Sequence, residues 1–315
     1  MYNEKRKEEF IQLYSKSMST QKACRNVFNA FEKYEEAWGA DLCTRSTEEL
    51  QPIINMIVGL RGRTKWARLI ILKKYVKWCI GTGVDGATSG MLDITHIGLE
   101  KMRQETIPNP SALQQYLNSI FVPPEKNTTS NVYHCYCWLA YMGFAEEDIL
   151  KVKISDVDLD KMIIHYPERG DVQIYKAAIP CIKNCVERDD FVFQSSHYET
   201  TIPRVEGNTL VRGIKQQPNL LSIRSIVSRT AKANEEKTGM RLSYFRIWLS
   251  GVFYRKLIDE INGEQDINFE DIVAIQTARK TYKLDSGRNT ISDKKKYLAR
   301  EYKDDYDRWK LTWRL

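Results

Sequence analysis

Four glycines, Gly81, Gly83, Gly86 and Gly90, fall together with Thr82, Thr88 and Ser89 in a stretch of ten residues. Glycine visits left- and right-handed backbone conformations alike, and short hydroxyl side chains compete for backbone hydrogen bonds. Such a run ends a helix and resists starting another. Unstructured stretches of that length are uncommon inside one compact domain. The run therefore divides the 315 residues into two parts, each long enough to bury its own core. The expected organisation is a helical domain over residues 1–85, a linker over 86–108 and a larger domain over 109–315.

Before the break the periodicity is helical. From a cap at Ser19 or Thr20, residues Ala23, Val27, Ala30, Phe31, Tyr34 and Trp38 recur on one face, and Gly39 ends the run. A short helix from Ser46 or Thr47 to Ile57 follows, then a longer one from Thr64 to Ile80. After the break, Pro110 and Ser111 open a helix through Ile120, and another runs from Ser130 to Gly143 with a short successor from Glu146 to Val152. Lys161–Tyr166 and Val172–Ala177 are rich in β-branched residues and flank the turn Pro167-Glu168-Arg169-Gly170-Asp171, which predicts a hairpin. Phe191-Val192-Phe193 reads as a further short strand, and the chain beyond Asn219 as helices. The fold class is mainly α with a small antiparallel β-sheet.

Charge adds a partner to consider. There are 48 Lys and Arg against 41 Asp and Glu, and the excess is unevenly distributed. Arg61, Arg63, Lys65, Arg68, Lys73, Lys74 and Lys77 lie between Leu60 and Trp78 with no acid among them. Between Arg204 and Lys256 there are eleven Lys or Arg and three Glu, with Arg224, Arg229 and Arg246 on the predicted helices. Either stretch could be a solvated helix face; together they fit a polyanion such as DNA. The first residues carry no apolar signal core, and no run approaches the roughly 20 apolar residues of a membrane span. A cytoplasmic, nucleoid-associated location is expected, with the seven cysteines as reduced core thiols. No metal and no cofactor is expected. His134, Cys135 and Cys137 cluster in sequence and Cys181 and Cys185 have CxxxC spacing, but zinc sites usually pair their ligands differently, and Cys135 and Cys137 diverge on a helix.

The segment Met142-Gly143-Phe144-Ala145-Glu146-Glu147-Asp148-Ile149, continued by Ile154-Ser155-Asp156-Val157-Asp158-Leu159, resembles a box of the tyrosine recombinases, or phage integrases. The resemblance extends over nearly the whole chain. It implies a helical core-binding domain that clamps DNA, with Arg61–Lys77 against the duplex, and a catalytic-type domain of helices around a small sheet. In that family two arginines hold a DNA phosphate, a hairpin lysine protonates the leaving oxygen, a His-x-x-Arg pair completes the site and a tyrosine attacks.

Here the matching positions depart from that pattern. Ala145 occupies the first arginine position, and Ser243-Tyr244-Phe245-Arg246 matches the His-x-x-Arg box with only Arg246 kept. The hairpin offers Arg169, and arginine, which holds its proton tightly, is a poor general acid; Lys176 lies further along. Tyr282 best matches the nucleophile, with Tyr297 and Tyr302 as alternatives. One lost charge-stabilising group costs about 10²–10³ in rate and a lost acid–base partner about 10²–10⁴. The expected catalytic set is therefore empty, its positions degenerate at Ala145, Ser243, Arg246 and Tyr282.

The resulting reading is a sequence-specific double-stranded-DNA-binding protein without recombinase chemistry, a transcriptional repressor of the kind that the integrase-like lysogeny repressors of SPβ-type prophages represent. The expected DNA contacts are Arg61, Arg63, Lys65, Arg68, Lys73, Lys74, Lys77, Arg224, Arg229 and Arg246. The alternatives are an active integrase and an accessory DNA-architecture or protein-interaction factor. The aromatic tail, Tyr302, Tyr306, Trp309, Leu311 and Trp313, either packs on its own domain or docks on a second copy, as the resemblance implies. A regulatory protein or peptide partner is left unidentified.

Overall fold

The computed structural model describes residues 1–57, 62–94, 98–123, 130–166, 170–194, 198–214, 216–265, 267–273 and 291–315. The chain is mainly helical with small antiparallel sheets. It forms two compact units, Met1–Met102 with Lys310–Leu315, and Arg103–Trp309. Among the described residues no helix is long and apolar enough to cross a membrane.

The first unit contains α1 (Glu4–Tyr14), α2 (Met18–Trp38), α3 (Thr47–Ile57) and α4 (Gly62–Gly81). Local chemistry sets their ends. Gly39, at a φ of 62°, stops α2. Ser46 and Glu49 form a reciprocal capping box at α3, with the Ser46 amide donating to Glu49 Oε2 at 3.0 Å and the Glu49 amide to Ser46 Oγ at 3.4 Å. The apolar stripes meet in one core in which Phe28, Leu72 and Tyr75 are fully buried. That core also encloses a charge pair. Lys7 and Glu35, both 0% exposed, are hydrogen-bonded to each other. The Leu42 amide donates to Glu35 Oε1 at 2.9 Å, and the Lys7 ammonium lies 5.4 Å from the Phe28 ring centroid. Burial pushes the Glu35 carboxyl above its ordinary value, against the pull of Lys7.

Residues 88–94, in the stretch expected as a linker, pack into the first unit. The Thr88 amide donates to Cys43 O at 2.8 Å and the Thr47 hydroxyl to Gly90 O at 2.9 Å, while Met91 and Ile94 are fully buried in the first core. A Cβ on Gly90 would lie 2.3 Å from Arg45 O. Glycine here permits close approach of two backbones rather than free swinging. Helix α5 (Leu99–Glu105) follows, and the boundary between units falls at Met102 and Arg103.

The second unit contains α6 (Pro110–Ile120), α7 (Asn131–Tyr141), α8 (Glu146–Ile149), β1 (Val157–Asp158), β2 (Ile163–Tyr166), β3 (Gly170–Gln173) and α9 (Ile179–Glu187). Next come β4 (Asp190–Gln194), β5 (Glu199–Pro203), α10 (Leu220–Ala233), α11 (Glu235–Thr238), α12 (Tyr244–Ile261) and α13 (Ile291–Trp313), of which the last six residues of the chain group with the first unit. The expected hairpin is present, Tyr166 opposite Gly170. Its second strand ends at Gln173, because the buried Ile174 turns to donate its amide to Met162 O at 2.7 Å and a helical turn, Lys176–Ala178, begins. Strand β4 pairs with β5, a largely exposed and polar strand that its hydrophobicity does not announce.

Helix α7 forms the middle of this unit and buries every residue from His134 to Tyr141. Helix α12 crosses it so closely that a Cβ on Gly251 would lie 1.8 Å from Tyr141 O. The aromatic tail packs within its own unit. Tyr302, Tyr306 and Trp309 are buried, with Tyr306 and Trp309 ring centroids 5.8 and 5.7 Å from that of Phe253. The Trp309 indole donates to Ile107 O at 3.1 Å. These three rings are buried in the core of their own unit.

Two stability predictions follow from the cores. Lys7→Met strands a buried carboxyl and should lower the unfolding free energy by about 3–5 kcal/mol, read from urea unfolding of the full chain. Gly251→Ala forces α7 and α12 apart and should cost about 3 kcal/mol or more; a change below about 0.5 kcal/mol, the scale of a neutral surface substitution, would show that the crossing is looser than described.

Candidate nucleic-acid interface

On α4 the expected DNA contacts divide by position. Leu69, Leu72, Tyr75, Val76 and Cys79 face the core, and Lys74 and Lys77 lie on the exposed side. They share it with Ile70 and Ile80, 47% and 42% exposed. Lys73 is half-buried and donates to Leu92 O at 2.8 Å, so its charge serves the segment expected as a linker. Lys74 Nζ lies 5.2 Å from the Tyr14 ring centroid. Arg68 is half-buried. Arg61 lies outside the described residues, and Arg63 and Lys65 belong to α4.

In the second unit the structure brings Ala145 close to the start of α12, where Ser243 and Arg246 lie. Ala145 caps α8 with an extended backbone. The Tyr244 hydroxyl donates to Phe144 O at 2.6 Å, joining the start of α12 to the turn before Ala145. Ser243 is the N-cap of α12, its Oγ accepting from the Arg246 amide at 3.4 Å, which explains a serine at that position on helix-capping grounds.

The residue after Ala145 is decisive for the electrostatics. Glu146, its side chain 12% exposed, accepts Arg224 Nε at 2.7 Å on Oε1 and a second bond from the same guanidinium on Oε2. The Tyr136 hydroxyl also donates to Glu146, and its ring lies 5.6 Å from that of Tyr244. Burial first, and Glu146 second, push the Tyr136 phenol far above its ordinary value, so it remains a protonated donor. Glu146 raises the Arg224 pKa in turn. A carboxylate thus stands beside the position where a phosphate-holding arginine is expected, and it takes the nearby Arg224 as its bidentate partner.

Arg246, expected on DNA, is 11% exposed and paired with Glu105, itself 22% exposed. Its charge is paired within the unit. Arg229 is exposed on α10. Lys176 is exposed in the helical turn after β3 rather than on a strand. Tyr282 and Arg169 lie outside the described residues. Of the other tyrosines, Tyr297 donates to Glu301 at 2.5 Å, and Tyr302 is buried against Phe269 at 6.2 Å between ring centroids. The Glu146 and Glu105 partners were absent from the sequence reading; the one local signal was an acid directly after Ala145.

The cysteines also regroup. All seven are buried and none forms a disulfide. Cys137 stands apart, but the Sγ atoms of Cys135, Cys181 and Cys185 lie within 4.8 Å of one another. The metal-free reading of these positions rested on sequence spacing, which did not show that α7 and α9 face each other there.

With this geometry in place, residues 1–81 match a family model described as MrpR, N-terminal core-binding domain. No curated protein matches the chain significantly. Among solved structures the chain is similar to one described as the crystal structure of XerA recombinase, at 10% identity over 83% of this chain and 86% of that one, with a TM-score of 0.35. It is also similar to the integrase from mycobacterium phage Brujita, at 15% identity over 98% of this chain and 96% of that one, with a TM-score of 0.31.

The Arg246 pair generates a prediction. Arg246→Ala should lower the unfolding free energy by about 1–3 kcal/mol, the scale of a hydrogen bond to a charged group, and leave DNA affinity at unchanged salt within twofold. A large loss of DNA binding in a variant of unaltered stability would return Arg246 to the interface.

Proposed function

We propose that this protein binds double-stranded DNA sequence-specifically and acts as a transcriptional repressor, built on a tyrosine-recombinase-like frame that does not cut strands. The observation that carries the proposal is the turn at Ala145. The side chain there has neither charge nor hydrogen-bonding group, and the adjacent Glu146 carboxylate holds Arg224. Phosphoryl transfer needs cations gathered around the phosphorus. A carboxylate in that position repels the phosphate and lowers the field of the nearest guanidinium. Ser243 in the histidine position is used as a helix cap.

The DNA-binding half of the proposal is supported by the match of residues 1–81 to a model named for core binding. It is also supported by Lys74 and Lys77 on the exposed side of α4. Binding by such residues is electrostatic and salt-dependent, each neutralised phosphate contributing about −0.9 to the slope of log K against log salt.

Lys74→Glu with Lys77→Glu should weaken binding to every DNA sequence and flatten that slope by about 2, measured by gel shift or anisotropy at several salt concentrations. An unchanged slope would remove α4 from the interface. On DNA from the gene's own neighbourhood, the shifted band should resist excess unrelated duplex; equal competition would indicate an architectural factor instead. On a nicked suicide substrate no denaturant-resistant adduct should form. An adduct abolished by Tyr282→Phe, Tyr297→Phe or Tyr302→Phe would establish an active recombinase and end the repressor reading.

A further inference from the structure

The second unit contains a side-chain cluster for which the DNA reading has no use. Asn131 and Cys135 are four residues apart on α7, and Cys181 and Cys185 are four apart on α9, so each pair shares one helix face. The two faces meet, and the three sulfur atoms lie within 4.8 Å of one another. Cys135, Cys181 and Cys185 are 0%, 1% and 2% exposed. We propose that these three cysteines bind one zinc ion, with Asn131 supplying the fourth donor. The inference is independent of the DNA-binding proposal.

Three observations support it. The first is geometric. Tetrahedral zinc with Zn–S bonds of about 2.3 Å places its sulfurs about 3.8 Å apart, so the cluster needs to contract by at most about 1 Å around the ion. The second is Asn131. It is 0% exposed, and among the described residues neither its side-chain oxygen nor its side-chain nitrogen has a hydrogen-bond partner. A buried amide with neither group satisfied is rare and calls for a ligand. This one stands one helical turn from Cys135, and its own backbone carbonyl is 3.6 Å from Cys181 Sγ.

The third is Arg204, which is 6% exposed. It donates to Cys185 O at 3.4 Å and to Asp190 O at 3.1 Å, its guanidinium lies 4.6 Å from the Phe191 ring centroid, and among the described residues its Nη2 has no hydrogen-bond partner. Among the described residues no carboxylate pairs with it. Three thiolates around Zn²⁺ carry one net negative charge, which the Arg204 guanidinium balances. A buried charge is tolerated where it is paired in this way.

The step conserves electrons and atoms. Each of the three S–H groups releases its proton to solvent as its Zn–S bond forms, and zinc keeps its oxidation state. Because the donors are buried, the ion enters as the unit folds rather than through an open channel.

The test uses the full chain, without an affinity tag, purified without chelator after expression with added zinc. Elemental analysis should find one zinc per chain. Cys135→Ala and Cys181→Ala should each lower it to none, while Cys137→Ala, whose thiol is equally buried but outside the cluster, should retain it. Because buried substitutions can unfold the chain, the unaltered protein is also refolded with cobalt(II) alone. It should then show thiolate-to-cobalt charge transfer and the intense ligand-field bands of a tetrahedral centre. Unaltered protein that holds no stoichiometric zinc and gives no cobalt–thiolate absorption would overturn the proposal. So would zinc retained at one per chain by the Cys135→Ala, Cys181→Ala double variant.

Discussion

The second unit depends on the close crossing of α7 and α12 at Gly251. A side chain at that position has no room beside the Tyr141 carbonyl. The same carbonyl accepts Arg255 Nη1 at 2.7 Å, so the end of α7 is held from the side as well as by contact. From that crossing, Ser250 reaches the Ile107 amide at 3.0 Å, and Tyr244 reaches the carbonyl before Ala145. Sequence separations of 143 and 100 residues are thereby closed by hydrogen bonds on one helix. Tight packing of this kind is bistable rather than elastic, so the positions it brings together are placed accurately.

The frame so assembled is electrostatically self-sufficient around Ala145. Arg224 and Arg246 each meet a carboxylate, Glu146 and Glu105. Tyr136 and Tyr244 donate their hydroxyl protons to acceptors within the unit. Among the described residues the guanidinium groups of Arg224 and Arg246 thus have partners inside the unit. Lys74 and Lys77 on α4 and Arg229 on α10 remain solvated, and the proposed DNA binding rests on such side chains. The affinity such residues provide comes mainly from counterion release.

Much of the fold was legible because it is written in local chemistry. The stripe from Val27 to Trp38, the Gly39 stop, the helix start at Ser46 or Thr47, and the hairpin around Gly170 all act within a few residues of themselves. The same locality explains the failures. The glycines at 81–90 read as slack because sequence does not reveal that Gly90 lies against the backbone at Arg45. Strand β5 was missed because its stability comes from pairing with β4 rather than from an apolar face. Basic residues read as one class, yet Lys73 is bound to a carbonyl and Lys74 is not buried.

By itself, then, the sequence determined the helical character of the chain, its small antiparallel sheet and the supply of basic side chains. Only the tertiary structure decided which charges are spent internally, that the aromatic tail fills its own core, and that Cys135 faces Cys181 and Cys185. The physical reason is distance along the chain. Helix periodicity and capping operate over three or four residues. The ion pair of Arg224 with Glu146 spans 78 residues, and the thiol cluster joins helices separated by the whole of the small sheet. Contacts of that range leave no period in the sequence to read.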